Sequence, residues 1–245
     1  MAEISSNNKR IAKNTMMLYI RMLISMVVGL FTSRVVLQTL GVENYGIYAV
    51  VGGIVSMFTF LNGGMISATQ RYLNFELGRG NQEQLSKVFR TSIQIHALIS
   101  LIVLLLSETV GLWFLYEKLV IPEERLDAAF WVFQFSIVAC VVSIISVPYN
   151  AVIVAHEKMS AFAYMSILDV VFKLLIVYLL YVLPWDKLVV YAALVLCVGL
   201  LMRFIYVSYC HKRVFFFYYR HGVDKLLFKV TCGVFVQENL VQRGF

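Results

Sequence analysis

The chain has 245 residues, of which 60% are hydrophobic and 14% charged, and its formal net charge is +7. Soluble domains contain roughly 45–50% apolar and about 25% charged residues, so this composition excludes an ordinary soluble protein. The charges collect in short clusters between long uncharged runs, a pattern typical of membrane-spanning helices. Because the basic residues flank those runs, membrane topology explains the positive charge better than nucleic-acid binding does.

Six transmembrane helices are predicted in chain order, which makes the chain an all-α integral membrane bundle. They cover residues 16–37, 46–68, 93–113, 128–155, 162–183 and 188–209. The first run is too long for the core of a signal peptide. The predicted domains are therefore a cytoplasmic N-terminal segment (1–13), a six-helix lobe (14–209) and a basic, aromatic cytoplasmic tail (210–245) that suits contact with anionic membrane lipids.

The connections between these helices are short. Residues 78–81, with the sequence GRGN, predict a turn that ends one helix, and Asn81 with Gln84 predicts a cap for the next. The outer connections near 42–44 and 184–187 are only a few residues long, and the outer loop 114–127 is acidic. No loop is long enough to fold as a catalytic domain.

The positions of Lys and Arg predict the orientation, because basic residues are retained in the cytoplasm during insertion. Twelve flank the spans on the N-terminal side, against three on the opposite side. Both termini are therefore expected in the cytoplasm, and the chain is expected in the inner membrane of a bacterium.

Asp169 and Lys173 lie near the centre of the fifth predicted span, where a charge costs several kcal/mol. Their four-residue spacing and their order favour an ion pair on one helix face. Two interpretations stay open: a neutralised pair that only packs the bundle, or the ionisable wall of a central cavity.

Arg21 and Arg34 lie near the two ends of the first predicted span. Each could extend its side chain to the lipid headgroups, or it could face the bundle interior and bind a pyrophosphate through paired hydrogen bonds. His96, in the third span, could relay a proton or could simply pack.

Two stretches could interrupt or bend a helix. Asn62, Gly63 and Gly64 suggest a hinge in the second span, with close helix packing as the alternative. Pro148 should kink the fourth span, since it removes one backbone hydrogen bond. The amides of Asn62 and Asn150 are counted with the candidate cavity residues.

Motifs for catalysis do not appear in the sequence. It contains neither an ATP-binding Walker A loop, a nucleophile elbow nor a zinc-binding His-Glu-x-x-His helix. We therefore expect no enzyme activity, no metal and no cofactor, and we expect no nucleic acid among the partners.

Five sequence runs, in order along the chain, resemble bacterial polysaccharide-biosynthesis flippases, the family that includes the O-antigen flippases. They are SRVVLQTLGVENYGIY (33–48), SATQR (67–71), FELGRG (75–80), PYNA (148–151) and AHEKM (155–159). The resemblance covers about residues 9–230.

The resemblance implies one lobe of the fold shared with multidrug-and-toxin exporters, in which two six-helix lobes face each other across a cavity. It implies alternating access and a lipid-linked oligosaccharide substrate carried on undecaprenyl pyrophosphate. Cationic residues often line the cavity of such proteins, which adds weight to Arg21 and Lys173.

Residues 230–245 do not continue into the seventh span that this family would have, so we expect a truncated or frame-shifted product. Such a lobe would need a second lobe or a second copy to complete its cavity. Two other readings stay open: a multidrug exporter of the same superfamily, and an integral-membrane glycan polymerase or acyltransferase.

Overall fold

The computed structural model describes residues 2–183 and 185–211, and this part of the chain is helical almost throughout. The chain divides into two compact units, Met1–Ser208 and Tyr209–Phe245. Only the first three residues of the second unit are described, so the predicted tail falls almost entirely outside the described residues.

The helices follow one another with short connections. In chain order they are α1 (Ala2–Arg79), α2 (Gln82–Leu106), a π-helical turn (Ser107–Gly111), α3 (Leu112–Glu117), a 3₁₀ turn (Glu123–Arg125), α4 (Leu126–Ala155), α5 (Met159–Val182) and α6 (Lys187–Tyr209). Within the described residues, five helical stretches are long and apolar enough to cross a membrane: Thr15–Arg79, Gln82–Glu117, Glu123–Ala155, Met159–Val182 and Lys187–Tyr209. The protein is therefore an all-helical membrane protein by length and composition.

The first two predicted spans both lie in α1, and the predicted connection at 42–44 is helical. The interruption is confined to Gly41, whose φ of 81° and ψ of 164° are not helical. Such a φ favours glycine. Next to it, the Asn44 side-chain amide donates to the Leu40 carbonyl oxygen at 3.0 Å. The side chain thus satisfies a carbonyl beside the bend, which lets the helix resume at once.

The turn predicted between α1 and α2 is confirmed. α1 ends at Arg79, and Gly80 has a φ of +68° and donates its N–H to the Leu77 carbonyl at 3.1 Å. Asn81 caps α2, since its side-chain oxygen accepts the Gln84 N–H at 3.1 Å.

α4 is the central helix of the bundle. It packs against α1 and α2, and α1 also packs along α5. Three contacts give the relative directions: Phe89 of α2 lies 5.6 Å from Tyr149, near the end of α4, whereas Gly111 lies against Phe133, near its start. α2 and α4 are therefore antiparallel.

The apolar core lies at the end of the bundle where α4 and α6 begin. One buried cluster joins α1, α2, α3, α4, α5 and α6, and its members include Val36, Ile47, Leu115, Ala129, Phe133, Leu180 and Leu188. At the same end, Tyr48 of α1 stacks edge-on against Tyr191 of α6 at 4.8 Å, and Arg125 pairs with Asp186 at 2.9 Å.

Gly111 is the glycine whose missing side chain this packing requires. A Cβ built there would lie 2.6 Å from the Cζ of Phe133, a ring with no exposed surface. We expect Gly111→Ala to lower the free energy of unfolding by about 1–3 kcal/mol, because the buried ring has to move. Thermal unfolding of the purified protein in detergent measures this.

Gly199→Ala is the matched control. A Cβ at Gly199, also within a helix, meets no atom within 4 Å, so this variant should be at least as stable as the parent. Equal stability of the two variants would contradict the proposed close contact at Gly111.

Candidate functional site

Arg21 reaches across from α1 to the first two turns of α5. Its Nη1 donates to the Ser166 hydroxyl at 3.1 Å, and its guanidinium lies 4.6 Å from the centre of the Phe162 ring. Its Nε is buried and has no hydrogen-bond partner among the described residues. Arg21 is thus held in one orientation by a hydroxyl and an aromatic face, while part of its donor capacity is unused.

Asp169 and Lys173 form an ion pair with 2.8 Å between the Nζ and a carboxylate oxygen. They lie about 15 and 21 Å along α5, whose 24 residues extend about 36 Å. Their side chains are 32% and 53% exposed. Since charges facing lipid at this depth cost several kcal/mol, this face of α5 must meet water or another protein surface in the membrane.

These groups belong to one face of α5. Phe162, Ser166, Asp169 and Lys173 are spaced at four, three and four residues, which places them in one row along a helix. We call Arg21 with Ser166, Asp169 and Lys173 the α5 polar strip. It brings together three of the predicted site residues and carries two cations and one anion.

Asn62 and Asn150 lie at the interface of α1 with α4. The Asn62 side-chain N–H₂ donates to the Ser143 hydroxyl at 3.3 Å. The side-chain oxygens of both asparagines are buried without a hydrogen-bond partner in the described part of the chain. Each such oxygen costs about 1–3 kcal/mol, so both sites favour an additional donor. Pro148 is buried inside α4, as predicted, one turn from Ser143 and Asn150.

Arg34, Gly63 and Gly64 are exposed and lie apart from the strip. Arg34 makes no hydrogen bond or ion pair with the described residues. α1 continues through Gly63 and Gly64 without the interruption expected there, and a Cβ at either would meet no atom within 4 Å. The bend in α1 is at Gly41 instead, because that residue has the left-handed φ.

His96 belongs to a buried polar cluster between α1 and α2. Its Nδ1 lies 2.6 Å from the Ser92 carbonyl oxygen, and the Ser92 hydroxyl lies 3.2 Å from that of Thr69. Because a carbonyl only accepts, Nδ1 carries the hydrogen and Nε2 is the bare nitrogen. Nε2 is buried without a partner among the described residues. Both readings, relay and packing, stay open.

Sequence reasoning missed two groups that the fold provides. Ser166, which holds Arg21, has no distinguishing pattern except that it lies three residues before Asp169. Glu108 accepts a hydrogen bond from the Gln134 side chain at 3.2 Å, and as the one acid within the third predicted span it could have been found from the sequence.

The described residues hold no group of three His, Cys, Asp or Glu side chains that could bind a metal ion. Comparison of the chain with protein-family models, with curated proteins and with solved structures finds no match. The chemistry of the site is therefore argued from its own geometry, which combines fixed cations with unpaired hydrogen-bonding groups inside an apolar bundle.

A cysteine at position 173 should report whether the strip meets water. In a variant whose four native cysteines are replaced by serine, we expect Lys173→Cys to react with a water-soluble maleimide in membrane vesicles. Tyr178→Cys, on an exposed and otherwise apolar part of α5, should react at least tenfold more slowly, since the thiolate that reacts does not form in lipid. Equal rates would contradict a hydrated strip.

Proposed function

We propose that the chain is a membrane lobe of a flippase that moves lipid-linked oligosaccharides across the bacterial inner membrane by alternating access. The observation that carries this proposal is the α5 polar strip, in which Arg21 and Lys173 lie on one face inside an apolar bundle. The resemblance to polysaccharide-biosynthesis flippases supports the same reading. The proposed substrate is an oligosaccharide on undecaprenyl pyrophosphate, as in O-antigen or capsule synthesis.

The strip suits a pyrophosphate for electrostatic reasons. Arg21 retains N–H donors beyond the one bonded to Ser166, and an arginine binds phosphate oxygens through paired hydrogen bonds. Lys173 lies seven residues, or about 10 Å, further along α5 than Ser166. A pyrophosphate can compete with Asp169 for Lys173, so the ion pair can open when the substrate enters and close again when it leaves.

The proposed lobe has six crossings, because α1 crosses twice. Its apolar stretch of 65 residues would be about 98 Å long as a straight helix, against about 30 Å of hydrocarbon. Arg21 and Thr69, on either side of the bend at Gly41, contact residues near the starts of α5 and α2. Tyr48 contacts α6 near the opposite end of the bundle. Such contacts favour a helix that turns back at Gly41.

A cysteine in place of Glu43 tests this topology. With Gly41 at the outer surface and both termini in the cytoplasm, Glu43→Cys in intact cells should react with a membrane-impermeant maleimide. Gln82→Cys, at the start of α2, should react only after the cells are opened. If α1 crossed only once, position 43 would lie in lipid and would stay unreactive in both conditions.

Substitution of the strip cations should weaken substrate binding and transfer. We expect Arg21→Ala and Lys173→Ala each to weaken binding of undecaprenyl-pyrophosphate oligosaccharide about tenfold or more, because a charge-assisted hydrogen bond contributes about 1.5–3 kcal/mol. Binding to the purified chain is followed with a fluorescent lipid-linked oligosaccharide, and transfer is followed in reconstituted vesicles, with and without a second lobe.

Lys87→Ala is the matched control, since Lys87 forms an exposed ion pair with Glu83 at the start of α2. This variant should bind and transfer like the parent. Unchanged affinity in both strip variants would refute the assigned roles. Binding of an aromatic cation in preference to the anionic lipid would instead favour a multidrug exporter.

A further inference from the structure

The third membrane-crossing stretch contains a π-helical turn, Ser107–Gly111, between α2 and α3. In this turn the Leu112 N–H bonds to the Ser107 carbonyl, five residues back. Single π turns inside α-helices occur frequently at functional sites, since they displace side chains from the regular helical row. The residue displaced here into the α2–α4 interface is Glu108.

Glu108 lies well inside the apolar stretch. It is nine residues, or about 14 Å, from Glu117 at the end of α3. Its partner Gln134 is eight residues, or about 12 Å, from the first residue of α4. Residues 91–116 contain no other acidic, Lys or Arg residue. The carboxyl group is therefore placed in the hydrocarbon region and away from the charged ends of the helices.

The surroundings of Glu108 supply no positive charge. In the described part of the chain its partner is the neutral Gln134 amide, whose Nε2 donates to Oε2 at 3.2 Å. Asp127 is the one charged residue of α4, and it lies two turns nearer the outer end. Arg34 and Glu43, the charged residues of α1 toward that end, form no ion pair with described residues. His96 lies twelve residues away along α2.

A carboxylate in this position is strongly disfavoured unless it takes up a positive charge. Gln134 can hydrogen-bond to either form of the carboxyl, because its amide offers both a donor and an acceptor. Phe133, which closes against Gly111, shields the neighbouring part of the interface. We infer that Glu108, held by Gln134, is a membrane-embedded proton-binding site. Its use to couple transport rests on the proposed function, whereas its protonation does not.

Dicyclohexylcarbodiimide tests this inference directly, since this apolar reagent modifies protonated carboxyl groups in membranes. The purified full chain in detergent is treated across a pH series, and the modified residue is located by mass spectrometry of its peptides. We expect Glu108 to gain one carbodiimide, with labelling that falls at least tenfold from the acidic to the alkaline end of the series. Glu117, exposed nine residues further along, should label at least tenfold less at every pH.

Two variants keep the test decisive. Glu108→Gln should abolish labelling of that peptide, and Gln134→Leu should extend labelling of Glu108 to higher pH because the carboxylate loses its hydrogen bond. Absence of labelling at Glu108 in the folded parent, or labelling equal to that of Glu117, would overturn the inference. Neither result depends on oligosaccharide transfer, so the proposed flippase function can fail while this site stands, and the reverse is also true.

Discussion

Inside a membrane, every backbone N–H and C=O group has to find its hydrogen-bond partner within the protein, because hydrocarbon offers none. This constraint explains why the described chain is helical nearly throughout and why its connections are so short. It also explains the chemistry at the one sharp bend of α1. There Gly41 supplies the backbone geometry, and the Asn44 side chain takes over one carbonyl of the interrupted helix. A bend is tolerated where a side chain replaces the missing backbone donor.

The same constraint makes the remaining unpaired polar groups informative. Most hydroxyls in the bundle bond to a carbonyl of their own helix, as those of Thr39 and Ser146 do. Arg21, Asn62 and Asn150 instead keep buried polar atoms without partners in the described residues. These three residues contact or face other helices, on the α1 side of α4 and α5. Unused hydrogen-bonding capacity and mid-span charge thus occur in the same part of the bundle, which is the physical basis of the proposed substrate path.

Much of the fold follows from sequence patterns that a bilayer enforces. The helices predicted at 128–155, 162–183 and 188–209 agree with α4, α5 and α6 to within three residues, and the Asn81 cap is confirmed. The bend of α1 was placed a few residues too late, because the polar run 42–44 reads as a loop while the backbone needs only one glycine to turn. The pairing of Asp169 with Lys173 is local and was predictable. The contacts of Arg21 with Ser166 and of Glu108 with Gln134 depend on tertiary packing, which periodicity along one chain does not encode.

The three residues between α4 and α5 bear on how the protein enters the membrane. Residues 156–158 form a tight elbow, with Glu157 at a φ of 53° and with hydrogen bonds back to the Ile153 and Val154 carbonyls. A connection this short obliges the two helices to leave the translocon together as a hairpin. The strongly apolar α4 can then carry the ionic residues of α5 into lipid, so that an unfavourable segment is inserted by its neighbour during biogenesis.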